Sequence, residues 1–163
     1  MSLAVYAGTF DPPTVGHSWM IDRGAEMFDR LVVAVGVNPG KKPLFDVPAR
    51  LDMLRAATSN RPSITIASFE NRYLIDYAKS VGAAYILRGI RGESDYEYER
   101  AMRNINGDLG PEVTTVFLMP PREIAEVSSS LVKSLIGPAG WSDVVRKYLS
   151  PAVHARLLEA VRA

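Results

Sequence analysis

At 163 residues, with 47% apolar and 23% charged side chains, the sequence has the size and balance of a single globular domain able to bury a sizeable core. Nineteen Lys and Arg against eighteen Asp and Glu leave a formal charge of +1, which offers no bulk attraction to nucleic acid or to an anionic membrane, so any phosphate chemistry must come from local placement. The absence of cysteine excludes disulfides, thiolate zinc sites and a cysteine nucleophile, and makes the reducing cytoplasm the expected compartment.

The first strand is expected at 3–6, and the residues before it lack the basic flank of a signal peptide. A helix follows Gly16-His17. The second strand, 31–37, is the longest apolar run and far too short to span a bilayer. Asp46 followed by Pro48 starts the next helix, with its body at 50–58, because an Asx cap and an early proline both suit a first turn. After a strand at 64–67, Leu74, Tyr77, Ala78 and Val81 keep helical spacing in a helix over 73–81 that Gly82 ends. A strand at 84–87 leads to a helix from about 94 to 109. Here Ser94 with Glu97 reads as a capping box, and Glu99 with Arg103 as an i,i+4 ion pair on the exposed face. The fifth strand, 113–117, precedes Pro120-Pro121, a helix opened by Ser128-Ser129-Ser130 and reaching Ile136, a Gly137-Pro138-Ala139-Gly140 break, and a terminal helix from Pro151. Alternating strands and helices without repeats or linkers predict one doubly wound, Rossmann-like α/β domain over 1–163. It has a five-stranded parallel sheet in a core at 3–136 and a C-terminal helical extension at 137–163.

Such sheets bind ligands beyond the carboxyl ends of their strands, where strand order reverses. Strand one ends in Gly8-Thr9-Phe10-Asp11-Pro12-Pro13-Thr14-Val15-Gly16-His17, which sets a hydroxyl and a histidine at a helix start, where free N–H groups favour anions. Strand two ends in Asn38-Pro39-Gly40-Lys41-Lys42-Pro43 and strand four in Arg88-Gly89-Ile90-Arg91-Gly92, whose arginines offer forked donors to phosphate. The serines after strand five meet another helix start. Taken singly, each has a bland reading: His17 as a satisfied helix-start residue, Lys41 and Lys42 as a solvated loop, the arginines as partners of Glu93 or Asp95, the serines as an N-cap cluster. Neither the P-loop pattern nor G-x-G-x-x-G occurs. The coincidence of four such ends on one rim points to phosphate binding.

The spaced segments Gly8-Thr9-Phe10-Asp11-Pro12, Thr14-Val15-Gly16-His17, Arg88-Gly89-Ile90-Arg91 and Ser128-Ser129-Ser130-Leu131-Val132-Lys133 resemble the nucleotidylyltransferase superfamily with its T/H-x-G-H motif. With Lys41-Lys42-Pro43, Asp95-Tyr96-Glu97-Tyr98-Glu99 and Val116-Phe117-Leu118-Met119-Pro120 added, the resemblance narrows to the phosphopantetheine adenylyltransferase family and covers roughly 3–136. It implies transfer of the adenylyl group of ATP to 4'-phosphopantetheine, giving dephospho-coenzyme A and pyrophosphate. By the same resemblance His17 stabilises the transition state at the α-phosphate, Thr9 orients the reacting phosphates, and Lys41 and Arg91 complete the catalytic set. The ATP contacts implied are Thr9, Phe10, His17, Gly89, Ile90, Arg91, Glu99 and the loop Ile124, Ala125, Glu126, Val127, Ser128, Ser129 and Ser130. Those to the acceptor are Thr9, Lys41, Arg88 and Leu74, the last along the pantetheine arm. Mg²⁺ is expected on the ATP phosphates with no protein ligand assigned, together with a homohexamer, feedback inhibition by coenzyme A, and no nucleic-acid or membrane partner. The sequence departs from the family pattern at Ala7, Asn71-Arg72-Tyr73, Glu126-Val127 and Gly137 to Trp141, none of which removes a phosphate contact. Two alternatives remain open at this level: another phosphate acceptor, such as a pyridine mononucleotide, or a nucleotide-binding module without turnover. His154 is expected to be structural.

Overall fold

A computed structural model describes residues 1–37, Gly40, 42–58 and 61–162. The elements run β1 (Leu3–Gly8), α1 (Val15–Met27), β2 (Arg30–Val37), α2 (Val47–Ala57), β3 (Ile64–Glu70), α3 (Leu74–Ser80), β4 (Tyr85–Gly89), α4 (Glu93–Leu109), β5 (Thr114–Leu118), α5 (Ser129–Ser134), α6 (Trp141–Arg146) and α7 (Pro151–Arg162). All four strand pairs are parallel and the order is β3-β2-β1-β4-β5, the doubly wound sheet expected. Order reverses between β1 and β4, so the turns that leave these two strands flank the crevice in which such folds hold ligands.

The central strands are apolar at nearly every position because both sheet faces are covered. Along β1, Ala4 and Tyr6 point to one face and Val5 and Ala7 to the other; β2 does the same with Leu31, Val33 and Val35 against Val32 and Ala34. The first face packs with Met20 and Ile21 of α1 and Leu54 of α2, the second with Ile75, Tyr77 and Ala78 of α3. A third cluster joins Phe45 and Met53 to Val132, Val145, Leu149, Val153 and Leu157, which seats the C-terminal helices on α2. The extension after 136 is therefore part of the packed domain. His154 bridges α7 to α6 through contacts of 3.1 Å between its Nε2 and both Ser142 Oγ and the Ser142 carbonyl oxygen, a structural placement.

Local signals explain most element ends. Asp46 caps α2 by accepting the Ala49 N–H at 2.8 Å, and Ser128 caps α5 by accepting the Leu131 N–H at 3.0 Å. Gly82, at φ +74, turns the chain out of α3 in the left-handed region that glycine enters without Cβ strain. Two expectations for α4 fail. It starts at Glu93 behind an extended Gly92 with no side-chain cap, so Ser94 and Glu97 lie inside the helix and form no capping box. Glu99 does not pair with Arg103 at the surface: it is buried, and its carboxylate is taken by Arg88. Helix α6 adds to the expected elements, since the Gly137–Gly140 break hides so short a helix behind it. No helix among the described residues is long and apolar enough to cross a membrane.

Candidate active site

The turn after β1 is held from several sides. Phe10 adopts a left-handed backbone (φ 48), which tucks its fully buried ring beneath Gly8 and between Tyr6 and His17, at centroid distances of 5.6 and 4.9 Å. Arg50, buried on α2, donates to the Thr9 carbonyl oxygen at 2.9 Å, and Ser129 Oγ donates to the Pro12 carbonyl oxygen at 2.8 Å. Asp11 is the central tie. Its carboxylate accepts the Phe45 N–H at 2.8 Å, the Leu44 N–H at 2.9 Å and Lys133 Nζ at 2.9 Å, and so joins this turn to the segment before α2 and to α5. Burial pushes the Asp11 carboxyl up, but the bonds from Leu44, Lys133 and Phe45 outweigh it and hold its pKa below the usual carboxylate range. Neither Asp11 nor Arg50 stands out in the sequence as a positioning group, because their partners lie more than thirty residues away.

His17 occupies the third position of α1, and its Nδ1 accepts the Thr14 backbone N–H at 2.9 Å, with Thr14 Oγ1 at 3.0 Å. A backbone amide can only donate, so Nδ1 is the lone-pair nitrogen and the ring proton sits on Nε2. Burial, with a smaller contribution from the Arg91 charge, pushes the pKa of His17 down to about 4, so at neutral pH the ring is an uncharged donor.

Across the switch point, the β4 end presents two arginines, each matched by a carboxylate of α4. Arg88 gives Nε to both Glu99 oxygens at 3.0 and 2.9 Å, Nη2 to Glu99 Oε1, and Nη1 to the Ala7 carbonyl oxygen at 2.9 Å. A guanidinium has five N–H donors, so one on Nη1 and one on Nη2 remain for a ligand. Arg91 gives Nε and Nη2 to Asp95 at 2.8 and 3.2 Å, while its own backbone N–H reaches the same carboxylate at 3.2 Å.

These groups line one cavity of about 1100 Å³. Of the residues singled out by resemblance, Thr9, His17, Leu74, Arg88, Gly89, Arg91, Glu99, Ile124, Val127, Ser128, Ser129 and Ser130 lie on its wall. The Phe10 side chain lies in the core instead, Ile90 is buried, and Ala125 and Glu126 stand off the cavity wall. Lys41 lies outside the described residues. The cavity runs on past Phe69, Asn71, Arg72 and Tyr73, the stretch in which the sequence departs from the family pattern. Its opposite wall is one face of α4, with Asp95, Glu99, Met102 and Asn106 at successive helical spacings, a stripe legible in the sequence as i, i+4, i+7 and i+11.

Residues 5–135 match the model of the Cytidylyltransferase-like family. That match and the switch-point cavity together define a nucleotidylyltransferase. Curated relatives narrow the class: the phosphopantetheine adenylyltransferases of Chromobacterium violaceum (58% identity, covering 97% of this chain and 96% of theirs) and of Neisseria meningitidis serogroup C (56%, covering 95% and 91%). The chain belongs to the phosphopantetheine adenylyltransferase branch of the Cytidylyltransferase-like family. Among solved structures, the Plasmodium falciparum nicotinic acid mononucleotide adenylyltransferase complexed with NaAD superposes with TM-score 0.71 at 15% identity, covering 97% of this chain and 95% of that one, a likeness of fold.

Proposed function

We propose that the protein transfers the adenylyl group of ATP to 4'-phosphopantetheine, forming dephospho-coenzyme A and pyrophosphate. An oxygen of the acceptor phosphate forms the new bond to the α-phosphorus, the bond from that phosphorus to the α,β-bridging oxygen breaks, and its electron pair leaves with pyrophosphate. The protein supplies no nucleophile; it must bring two mutually repelling anions together and stabilise charge as it builds on the α-phosphate. The observation that carries this reading is the neutral, Nε2-protonated His17 at the switch-point crevice: a fixed donor that needs no proton transfer to act. Thr9 orients the phosphates from a turn that Arg50 fixes, and Arg91 with the Ser128–Ser130 helix start holds the triphosphate. Lys41 and the two remaining N–H groups of Arg88 take the acceptor phosphate. Glu99 then serves the site by aiming Arg88.

Mg²⁺ is carried by the triphosphate in this reading. A hard ion of this kind keeps phosphate and water oxygens as ligands and needs few from the protein. The compartment is the cytoplasm. Coenzyme A, which shares the pantetheine arm and the adenylate with the product, is the inhibitor proposed to compete for this cavity. A homohexamer is the assembly proposed, and the exposed apolar side chains Tyr96, Ile105, Leu109 and Met119 are candidates for its contacts.

With ATP, Mg²⁺ and 4'-phosphopantetheine, the purified protein is expected to release pyrophosphate and form dephospho-coenzyme A, detected by mass, and to run backwards when pyrophosphate is supplied. Turnover with a pyridine mononucleotide and none with phosphopantetheine overturns the assignment.

Leu74 tests where the arm lies. It is the first residue of α3, partly buried on the cavity wall. An acidic residue there is favoured by the helix dipole, so Leu74→Asp is expected to fold. Its carboxylate would face methylenes and amides, and the KM for phosphopantetheine should rise about tenfold while that for ATP stays near wild type, as steady-state kinetics would read. Equal acceptor KM values would move the arm away from this wall.

A further inference from the structure

We infer that Asp95 is a built-in competitor for the triphosphate's place on Arg91, and that it thereby sets how tightly ATP and pyrophosphate are held. The inference rests on the reading of Arg91 as a triphosphate ligand and goes beyond it. Three donors converge on the one carboxylate: the Arg91 backbone N–H, Nε and Nη2. Together they form a fork and a peptide N–H aimed at a single anion, the donor set a phosphate would use. Asp95 is not tucked away behind Arg91. It lines the same cavity, and both side chains remain partly open to solvent. Arg88 differs: its partner Glu99 is buried and its Nη1 also donates to the Ala7 carbonyl oxygen, so it is tied from two sides. Asp95, by contrast, takes Nε and one Nη2 N–H of Arg91 and leaves Nη1 outside the pairing. The two matched pairs on α4 therefore have different consequences. Glu99 fixes an arginine in place, whereas Asp95 fills the Nε–Nη2 fork and the peptide N–H of Arg91, so a phosphate that uses this donor set must displace it.

The carboxylate bears one negative charge and a triphosphate several, so the nucleotide wins Arg91 but gains less than it would from an unpaired arginine. The same exchange works in reverse when pyrophosphate leaves, since Asp95, four residues along the chain in the first turn of α4, stands ready to take the guanidinium back. A half-exposed pair of this kind shifts affinity modestly.

The test uses the full chain. Asp95→Asn should lower the KM for ATP and the calorimetric Kd for pyrophosphate about three- to fivefold, with the phosphopantetheine KM unchanged. Asp95→Ser, which removes the carboxylate and keeps a residue suited to a helix start, should give the same sign. Glu93→Gln takes one negative charge from the same helical turn without touching Arg91, and should leave pyrophosphate affinity within error. An unchanged or weaker pyrophosphate affinity in both Asp95 variants overturns the inference, as does an equal gain in Glu93→Gln, which would reduce the effect to bulk charge. Arg91→Ala separates the layers. If it weakens pyrophosphate while the Asp95 variants change nothing, only the competition is wrong; if it leaves pyrophosphate binding intact, the placement of the triphosphate on Arg91 is wrong and the competition goes with it.

Discussion

His17→Ala is expected to lower kcat by about a hundredfold or more while the KM for either substrate changes little. The tautomer is the reason. With Nδ1 committed to the Thr14 N–H and the charge removed by burial, the one catalytic asset left to the ring is its Nε2–H, held by Phe10 and the helix start against rotation. In the proposed binding mode such a donor gives little to a ground-state phosphate that arginine and serine donors already share, and gives most where charge grows during transfer. The same facts predict pH behaviour. His17 has its folded pKa near 4 against about 6.5 in an unfolded chain. Between those values the unfolded state binds more protons, so this residue's contribution to stability is fully present above pH 6.5 and is lost as pH falls towards 4. Urea midpoints followed from pH 7 to pH 4 should fall less steeply in His17→Ala than in wild type. Any limb in the kcat profile that His17 sets should lie near pH 4, because protonating Nδ1 would eject the Thr14 amide. A limb near 6.5 that disappears in the variant would instead show a titrating histidine that acts in its charged form.

The fold was legible because its signals are local. β-branched runs buried on both faces, the Asp46 cap and the Ser128 cap each act within a few residues of themselves, and each appears where its chemistry predicts. The rim was legible because a parallel sheet sends all its carboxyl ends the same way, so the residues just after each strand together make up the rim. What could not be read was which polar groups answer one another across elements. Glu99 fits the i,i+4 rule with Arg103, but that rule surveys only the helix it belongs to; the guanidinium that takes Glu99 is on β4, eleven residues back in sequence and on the buried side. Asp11 looks like a turn residue until its three donors, from Leu44, Phe45 and Lys133, are brought round by packing of α2 and α5. Arg50 is one more helical arginine until its reach to Thr9 is seen. The sequence displays the groups that line the cavity more readily than the groups that hold them there.

Glu99→Ala is expected to destabilise the fold by about 3 kcal/mol and to raise the acceptor KM more than the ATP KM. The Arg88 side chain is only 25% exposed and the Glu99 side chain 8%, so removing the carboxylate strands a guanidinium that water reaches from the cavity side alone. Breaking such a pair costs far more than the pair itself is worth, because the surviving charge has lost its compensation. Arg88 would also lose its aim. The bond from Nη1 to the Ala7 carbonyl oxygen remains, but Nε and Nη2 would swing free, and the two N–H groups proposed for the acceptor phosphate would no longer be held. Stability and function can be separated by removing both charges. Arg88→Met with Glu99→Leu keeps volume, leaves no stranded ion, and should recover most of the lost stability in urea titration, while turnover stays low because no guanidinium faces the acceptor. Recovery of both stability and turnover would show that the pair only fills space; loss of ATP affinity ahead of acceptor affinity in Arg88→Ala would mean that this arginine serves the nucleotide, and the two phosphates would have to exchange places in the cavity.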